Sequence, residues 1–238
     1  ASGDHTLKIW DTETCWELKT LTGHSNSVYA VAIAPDGKTA ISASSDKTLK
    51  IWDTETGREL KTLTAHNSVM AVAIAPDGKT AISASRGNPL EIWDTETGQK
   101  LETLTRHTWR MGAPVAIAPD GKTAISASKK YDTLEIWDTE TGWELKTLSG
   151  HSSGVNAVAI APDSKTAISA SSDRTLKIWD LLSGEEVASF SGDYEFDCCA
   201  ISPDGVTVVA GDSLGRVHFL RLEGMGDLCA EARNRVSS

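Results

Sequence analysis

Read for its apolar and polar positions, the stretch from residue 28 to residue 64 divides into four short segments. "VYAVAIA" (28–34) sets Val and Ile alternating with Ala, the period of two that marks a strand. "PDGK" (35–38) brings turn chemistry: proline presets φ, the aspartate side chain bonds nearby backbone, and glycine accepts positive φ. "TAISAS" (39–44) predicts a second strand and "TLKIWD" (48–53) a third. After the "TETG" turn (54–57), "RELKTLT" (58–64) is a fourth and more polar strand. The first strands carry small or branched residues on both faces, as sheets covered on both sides require. Glu59 and Lys61 instead suit a solvated outer edge.

This pattern recurs. Trp-Asp pairs begin at Trp10, Trp52, Trp93, Trp137 and Trp179, at intervals of 42, 41, 44 and 42 residues. Histidines mark the same period at His24, His66, His107 and His151. "APDG" or a near copy falls at Pro35, Pro76, Pro119 and Pro162, with "SPDG" at Pro203. A unit of about 40 residues with four strands cannot bury its own faces, so neighbouring units must stack. Four strands per unit is the pattern of a propeller blade.

These repeats resemble the WD-repeat (WD40) β-propeller family over nearly the whole chain. The resemblance implies an all-β fold, a WD40 β-propeller of four-stranded antiparallel blades. Four complete repeats span about 25–64, 66–105, 107–148 and 151–190. A degenerate fifth spans about 193–222, with Asp193 in place of His and Phe219 in place of Trp. The first 24 residues supply a third and a fourth strand, an N-terminal half blade, and 223–238 form a C-terminal tail. The "APDGKTAISAS" wording is similar to the repeat domains of bacterial NB-ARC/STAND-type signalling proteins, where a propeller commonly follows a nucleotide-switch module.

His24, Ser42 and Asp46, repeated as His151, Ser169 and Asp173, invite comparison with a catalytic triad. A nucleophilic serine needs a base, an oxyanion hole and usually a strained turn such as GxSxG, and no GxSxG occurs here. A set that returns with Trp52 and again with Trp179 is expected to be structural. In the family it resembles, the Asp of a turn, His, Ser and the Trp indole form a buried relay. Two repeats depart from it. "SRGNPLEIW" has Gly87 and Asn88 where Asp is expected, and "SKKYDTLEIW" has Tyr131 there with Asp132 one place closer to Trp137. Either these blades are less rigid or adapted to a partner, or their neighbours tolerate neutral drift.

The repeat varies freely at one place, two residues before the central position of each first strand: Tyr29, Met70, Ala113, Asn156 and Asp197. In the family it resembles, such positions lie near the channel rim where partners gather. Trp109 and Arg110, in the longer stretch before the third repeat, are residue types that dominate interface hot spots. The candidate partner-binding residues are therefore Tyr29, Met70, Trp109, Arg110, Asn156 and Asp197, against the alternative of exposed positions under no pressure to match. Trp16 and Trp143 are expected on the opposite face or outer edge, each covering a neighbouring strand.

Composition narrows the function. The net charge of −10 repels phosphate backbones, so no nucleic-acid partner is expected. No apolar run approaches a membrane span, so no membrane association is expected. The four cysteines (Cys15, Cys198, Cys199, Cys229) lack CxxC spacing and read as free thiols of a cytoplasmic protein. The "DTET" acids are too few per turn for calcium. No catalytic residue, cofactor or metal is expected.

The leading reading is a non-catalytic scaffold or sensor that binds a protein or peptide, at the end of a larger signalling NTPase. The alternatives are an enzyme with a site at the channel mouth and an engineered or structural repeat protein. Because seven blades of this length exceed 238 residues, the chain is a piece of a larger propeller, closes unusually small, or completes itself by self-association through open blade edges. The first is favoured.

Overall fold

A computed structural model describes residues 2–87, 89–104, 114–128 and 132–222. Every regular element among them is a β-strand. The chain forms two compact units, residues 1–112 and 113–238.

In the first unit β1 (Leu7–Trp10) and β2 (Glu17–Leu21) make a two-stranded sheet. A four-stranded meander follows, of β3 (Val28–Ile33), β4 (Thr39–Ser44), β5 (Thr48–Asp53) and β6 (Glu59–Thr64). A second contains β7 (Val69–Ile74), β8 (Thr80–Ser85), β9 (Leu90–Asp94) and β10 (Lys100–Leu104). In the second unit β11 (Val115–Ile117), β12 (Thr123–Ala127), β13 (Thr133–Asp138) and β14 (Glu144–Ser149) form one four-stranded sheet. β15 (Val155–Ile160), β16 (Thr166–Ser171), β17 (Thr175–Asp180) and β18 (Glu186–Ser191) form another. The last sheet has three strands, β19 (Phe196–Ile201), β20 (Thr207–Asp212) and β21 (Val217–Arg221). All pairings are between antiparallel neighbours in sequence.

The second strand of each full sheet is covered on both faces: Ala40 to Ser44 are all buried. Alanine and serine allow that close approach, while Ile41 and Leu49 fill the space toward the next sheet. There they join Leu63, Val69, Val72 and Trp93 in one apolar cluster. In the second unit, Ala170, Leu176, Phe196 and Ala210 play the same part between the last two sheets.

The expected double coverage fails at β3, where Tyr29, Val31 and Ile33 are 47%, 43% and 63% exposed. The sheet before it has only the third-strand and fourth-strand types, β1 and β2. Its Leu7 and Leu21 reach Val28 and Trp52, while Tyr29, Val31 and Ile33 stay open to solvent.

The turns are built as their sequences imply. Asp36 Oδ1 accepts the Lys38 amide at 2.9 Å and Gly37 has a φ of 69°. Asp53 Oδ1 accepts the Thr56 amide at 2.6 Å, which with the Thr56 hydroxyl holds this exposed carboxyl below its ordinary range.

One assignment changes. Trp52 pairs with Ala40, seventeen residues after Pro35, and the residue that pairs with Val208, seventeen after Pro203, is Leu220. Leu220, not Phe219, therefore takes the tryptophan position of the fifth repeat. Phe219 points to the other face and is 73% exposed.

Candidate functional site

Two side-chain clusters link the strands of the repeats that begin at His24 and His151. His24 precedes β3, Ser42 lies in β4, Asp46 in the β4–β5 turn and Trp52 in β5. His24 Nδ1 is 2.8 Å from Asp46 Oδ2, and His24 Nε2 is 2.6 Å from Ser42 Oγ. The indole of Trp52 donates to Ser42 Oγ at 2.8 Å. His151, Asp173, Ser169 and Trp179 repeat the set with distances of 2.7, 2.6 and 2.8 Å.

The proton order follows from chemistry. An indole can only donate, so each serine oxygen accepts from Trp and gives its own hydrogen to His Nε2. Each His Nδ1–H then points at a carboxylate. Burial raises the Asp46 carboxyl, but hydrogen bonds from Thr48, His24 and the Ser25 amide overcome it and hold it at about 2. Asp173 is likewise held at about 2 against burial by Thr175, the Ser152 amide and His151. Burial lowers His151, and the neighbouring Asp173 only partly opposes this.

Ser42 and Ser169 are wholly buried, and their oxygens already serve both indole and imidazole. No face of either hydroxyl is left for a substrate.

The other repeats keep part of the set. Trp93 donates to Ser83 at 2.9 Å and Trp137 to Ser126 at 2.9 Å. His66 is exposed, and Gly87 holds the turn with a φ of 73° where Asp46 stands in the preceding repeat. His107, Asn88 and Tyr131 lie outside the described residues. The fifth repeat replaces the set altogether: His218 Nε2 meets Asp212 Oδ2 at 3.0 Å beside the rings of Phe190 and Phe196.

The variable positions share one backbone feature. The pairing register skips a residue between Val28 and Ala30, Val69 and Ala71, Val155 and Ala157, and Phe196 and Cys198. Tyr29, Met70, Asn156 and Asp197 are those skipped residues, the extra member of a β-bulge. A bulge re-aims a side chain without breaking the strand.

Tyr29 and Asp197 are exposed, and Met70 is half-buried, receiving the Ser68 hydroxyl on its sulfur at 3.6 Å. Asn156 is already engaged: its amide donates to Ser172 Oγ and to the Phe196 carbonyl, each at 2.9 Å. Ala113, Trp109 and Arg110 lie outside the described residues.

Trp16 and Trp143 are 74% and 65% exposed. Cys15 and Cys198 are exposed free thiols, and burial, then the neighbouring Cys198, pushes Cys199 up to about 12. Among the described residues no group of His, Cys, Asp or Glu is placed to hold a metal, and no helix is long and apolar enough to cross a membrane.

The sequence reading passed over one corner. Leu181 and Leu182 replace the Thr-Glu of the other turns, and Ser164 replaces glycine in "PDGK". The signal was present as a break in an otherwise copied phrase.

Comparison with protein families places this geometry. The model described as "WD domain, G-beta repeat" (WD40) matches residues 15–53, 57–94 and 142–180. These three segments are WD40 repeats. Each match runs from the fourth strand of one sheet through the third strand of the next.

Proposed function

We propose that this chain, with its WD40 repeats, is a non-catalytic interaction scaffold or sensor that docks a protein or peptide through bulge residues of its first strands. WD40 repeats typically mediate protein interactions. The observation that carries the reading is the coincidence of variation with bulging. Tyr29, Met70 and Asn156 differ from one another while the strand residues around them are copied, and Asp197 occupies the same bulge in the divergent strand of the fifth repeat. The His-Ser-Asp-Trp sets are the internal fastenings that hold the strands of their own repeats, not a source of chemistry. The acidic surface favours a protein partner over nucleic acid. The free thiols fit a reducing cytoplasm.

A photo-crosslinking residue placed at position 29 or 197 tests the reading, with position 55 in a turn as control. Specific adducts at 29 and 197 but not at 55 support it. Equal adducts at all three positions, or turnover of a substrate lost on changing Tyr29, would sink it.

The open edge of β21 supports the self-association reading. Phe190 is 37% exposed, whereas Leu63 and Leu148 at the same strand position are 3% and 1% exposed. Among the described residues no fourth strand pairs with β21, and the adjoining groove is apolar, with Ile178, Ala188 and Leu220 in its lining. Such an edge pairs readily with another strand. The wider context we take is the sensing end of a larger signalling NTPase. It is supported by the copied "APDGKTAISAS" wording and tested by whether a nucleotide-switch domain is encoded upstream of Ala1.

A further inference from the structure

In the second unit, a groove of about 480 Å³ runs between the third and fourth repeats, walled by Ile136, Leu145, Lys146, Lys165, Leu181 and Leu182. Two departures from the repeated phrase meet there. Residues 12–13, 54–55, 95–96 and 139–140 are all Thr-Glu, and the matching pair here is Leu181–Leu182. Thr54, Thr95 and Thr139 give their hydroxyls to the carbonyls of Gly37, Gly78 and Gly121 at 2.6, 2.7 and 2.6 Å. Leu181 has no hydroxyl to give. The glycine of that turn is Ser164, whose Oγ accepts the Asp120 amide at 3.0 Å and so ties the two repeats together at the groove.

The exchange changes polarity as well as shape. Leu182 is 66% exposed and Leu145 is 50% exposed, and both line the groove. Leu181 is half-buried and Leu182 lies open at a turn where every other copy is polar, which marks a contact surface. The same exchange removes the glutamate that stands in the other four turns. Among the described residues Lys146 and Lys165 form no ion pair, although Lys146 also donates to the Leu182 carbonyl. The lining holds one acid, Asp120, which accepts the Lys122 amide at 2.9 Å and leaves the two lysines in excess. Apolar walls with two lysines against one aspartate fit an apolar segment bearing carboxylates.

We infer that this groove docks an extended segment of a partner protein in which two adjacent apolar residues are flanked by acids. The apolar pair lies against Leu145, Leu181 and Leu182, and the carboxylates meet Lys146 and Lys165. The proposal rests on the reading of the chain as an interaction module. It gives that module a second surface, at the opposite end of β15 from Asn156.

The test uses the full chain and three fluorescein-labelled octapeptides: central Leu-Leu flanked by glutamates, the same flanked by lysines, and central Ser-Ser flanked by glutamates. Fluorescence anisotropy should show binding of the first in clear preference to the others. The double variant Leu181→Thr/Leu182→Glu restores the residues of the other repeats, so it should fold, as circular dichroism can verify. It should bind the first peptide roughly tenfold more weakly or worse, and Lys165→Glu should weaken it also. No binding by the native chain, equal binding by the double variant, or equal binding of the acidic and basic peptides would each overturn the assignment. A dimer of the native chain that the double variant abolishes would also overturn it, by making the groove a self-contact. If the peptide fails while crosslinking at position 29 persists, only this groove is lost and the module reading stands.

Discussion

Glu91 on β9 meets Lys100 on β10 with Oε1 3.0 Å from Nζ, and the signs are the reverse of Lys50 and Glu59, which meet at 2.7 Å in the preceding sheet. In both sheets the third strand buries its charge and the more exposed fourth-strand partner neutralises it. Lys8–Glu17 and Lys177–Glu186 keep the polarity of Lys50–Glu59. The second repeat has exchanged both members together.

Glu91→Lys alone therefore places two cations side by side, one of them buried. We expect a loss of about 3 kcal/mol or more in denaturant unfolding. Adding Lys100→Glu should restore native stability or exceed it. Lys50 also donates to Thr62 at 2.8 Å, Thr103 stands ready in the same place, and Glu91 Oε2 has no hydrogen-bond partner among the described residues. A double variant no better than the single one would refute the coupling.

Acid should loosen the repeats in two stages. Asp46 and Asp173 are held at about 2, below their ordinary 3.8. A depressed carboxyl stabilises the fold above its unfolded value and loses that contribution as pH falls toward its folded value. The window thus runs from about pH 4 to pH 2, with about 1–2 kcal/mol from each residue. His151 is lowered from 6.5, so folding favours its neutral form and stability begins to fall as pH drops below that value. Urea unfolding from pH 7 to pH 2 should show both stages, and Asp46→Ala/Asp173→Ala should flatten the lower one. An unchanged slope in that variant would refute the assignment.

The strand periodicity and the "PDGK" turns were legible because each rests on local chemistry that the repeat states several times. The pairing of His24 with Ser42 and Asp46 was legible because the set returns at His151. The bulges were not, since a skipped register at Tyr29 or Asn156 leaves no mark on the alternation of residue types. Matching one aromatic residue to another misplaced the fifth tryptophan position on Phe219, although counting from Pro203 leads to Leu220.

Cys15 occupies a left-handed position, with a φ of 59°. The corresponding residues are Gly57, Gly98, Gly142 and Gly184, with φ of 74°, 77°, 70° and 83°. A side chain there costs about 1–2 kcal/mol, part of which glycine returns through the greater freedom of its unfolded chain. Cys15→Gly should raise stability by about 0.5–1 kcal/mol, read as an upward shift in Tm. Cys15→Ala should give none of that gain, which separates backbone relief from loss of the thiol. Equal effects of the two variants would refute the strain argument.

Serine-to-alanine changes can weigh the full fastening against its reduced form. Ser42 satisfies both the Trp52 indole and His24 Nε2, whereas Ser83 satisfies the Trp93 indole while His66 stands exposed. Leaving one buried polar group unpaired costs about 1–3 kcal/mol. Ser83→Ala strands one such group and should cost about 1–2 kcal/mol. Ser42→Ala strands two and also frees His24 from the geometry that holds it against Asp46, so its cost should be about twice as large. The comparison cancels the lost hydroxyl itself, because both serines lie fully buried at the same strand position. Equal losses on unfolding would mean that the histidine and aspartate contribute nothing beyond the Trp–Ser bond, and the four-residue fastening would reduce to a two-residue one.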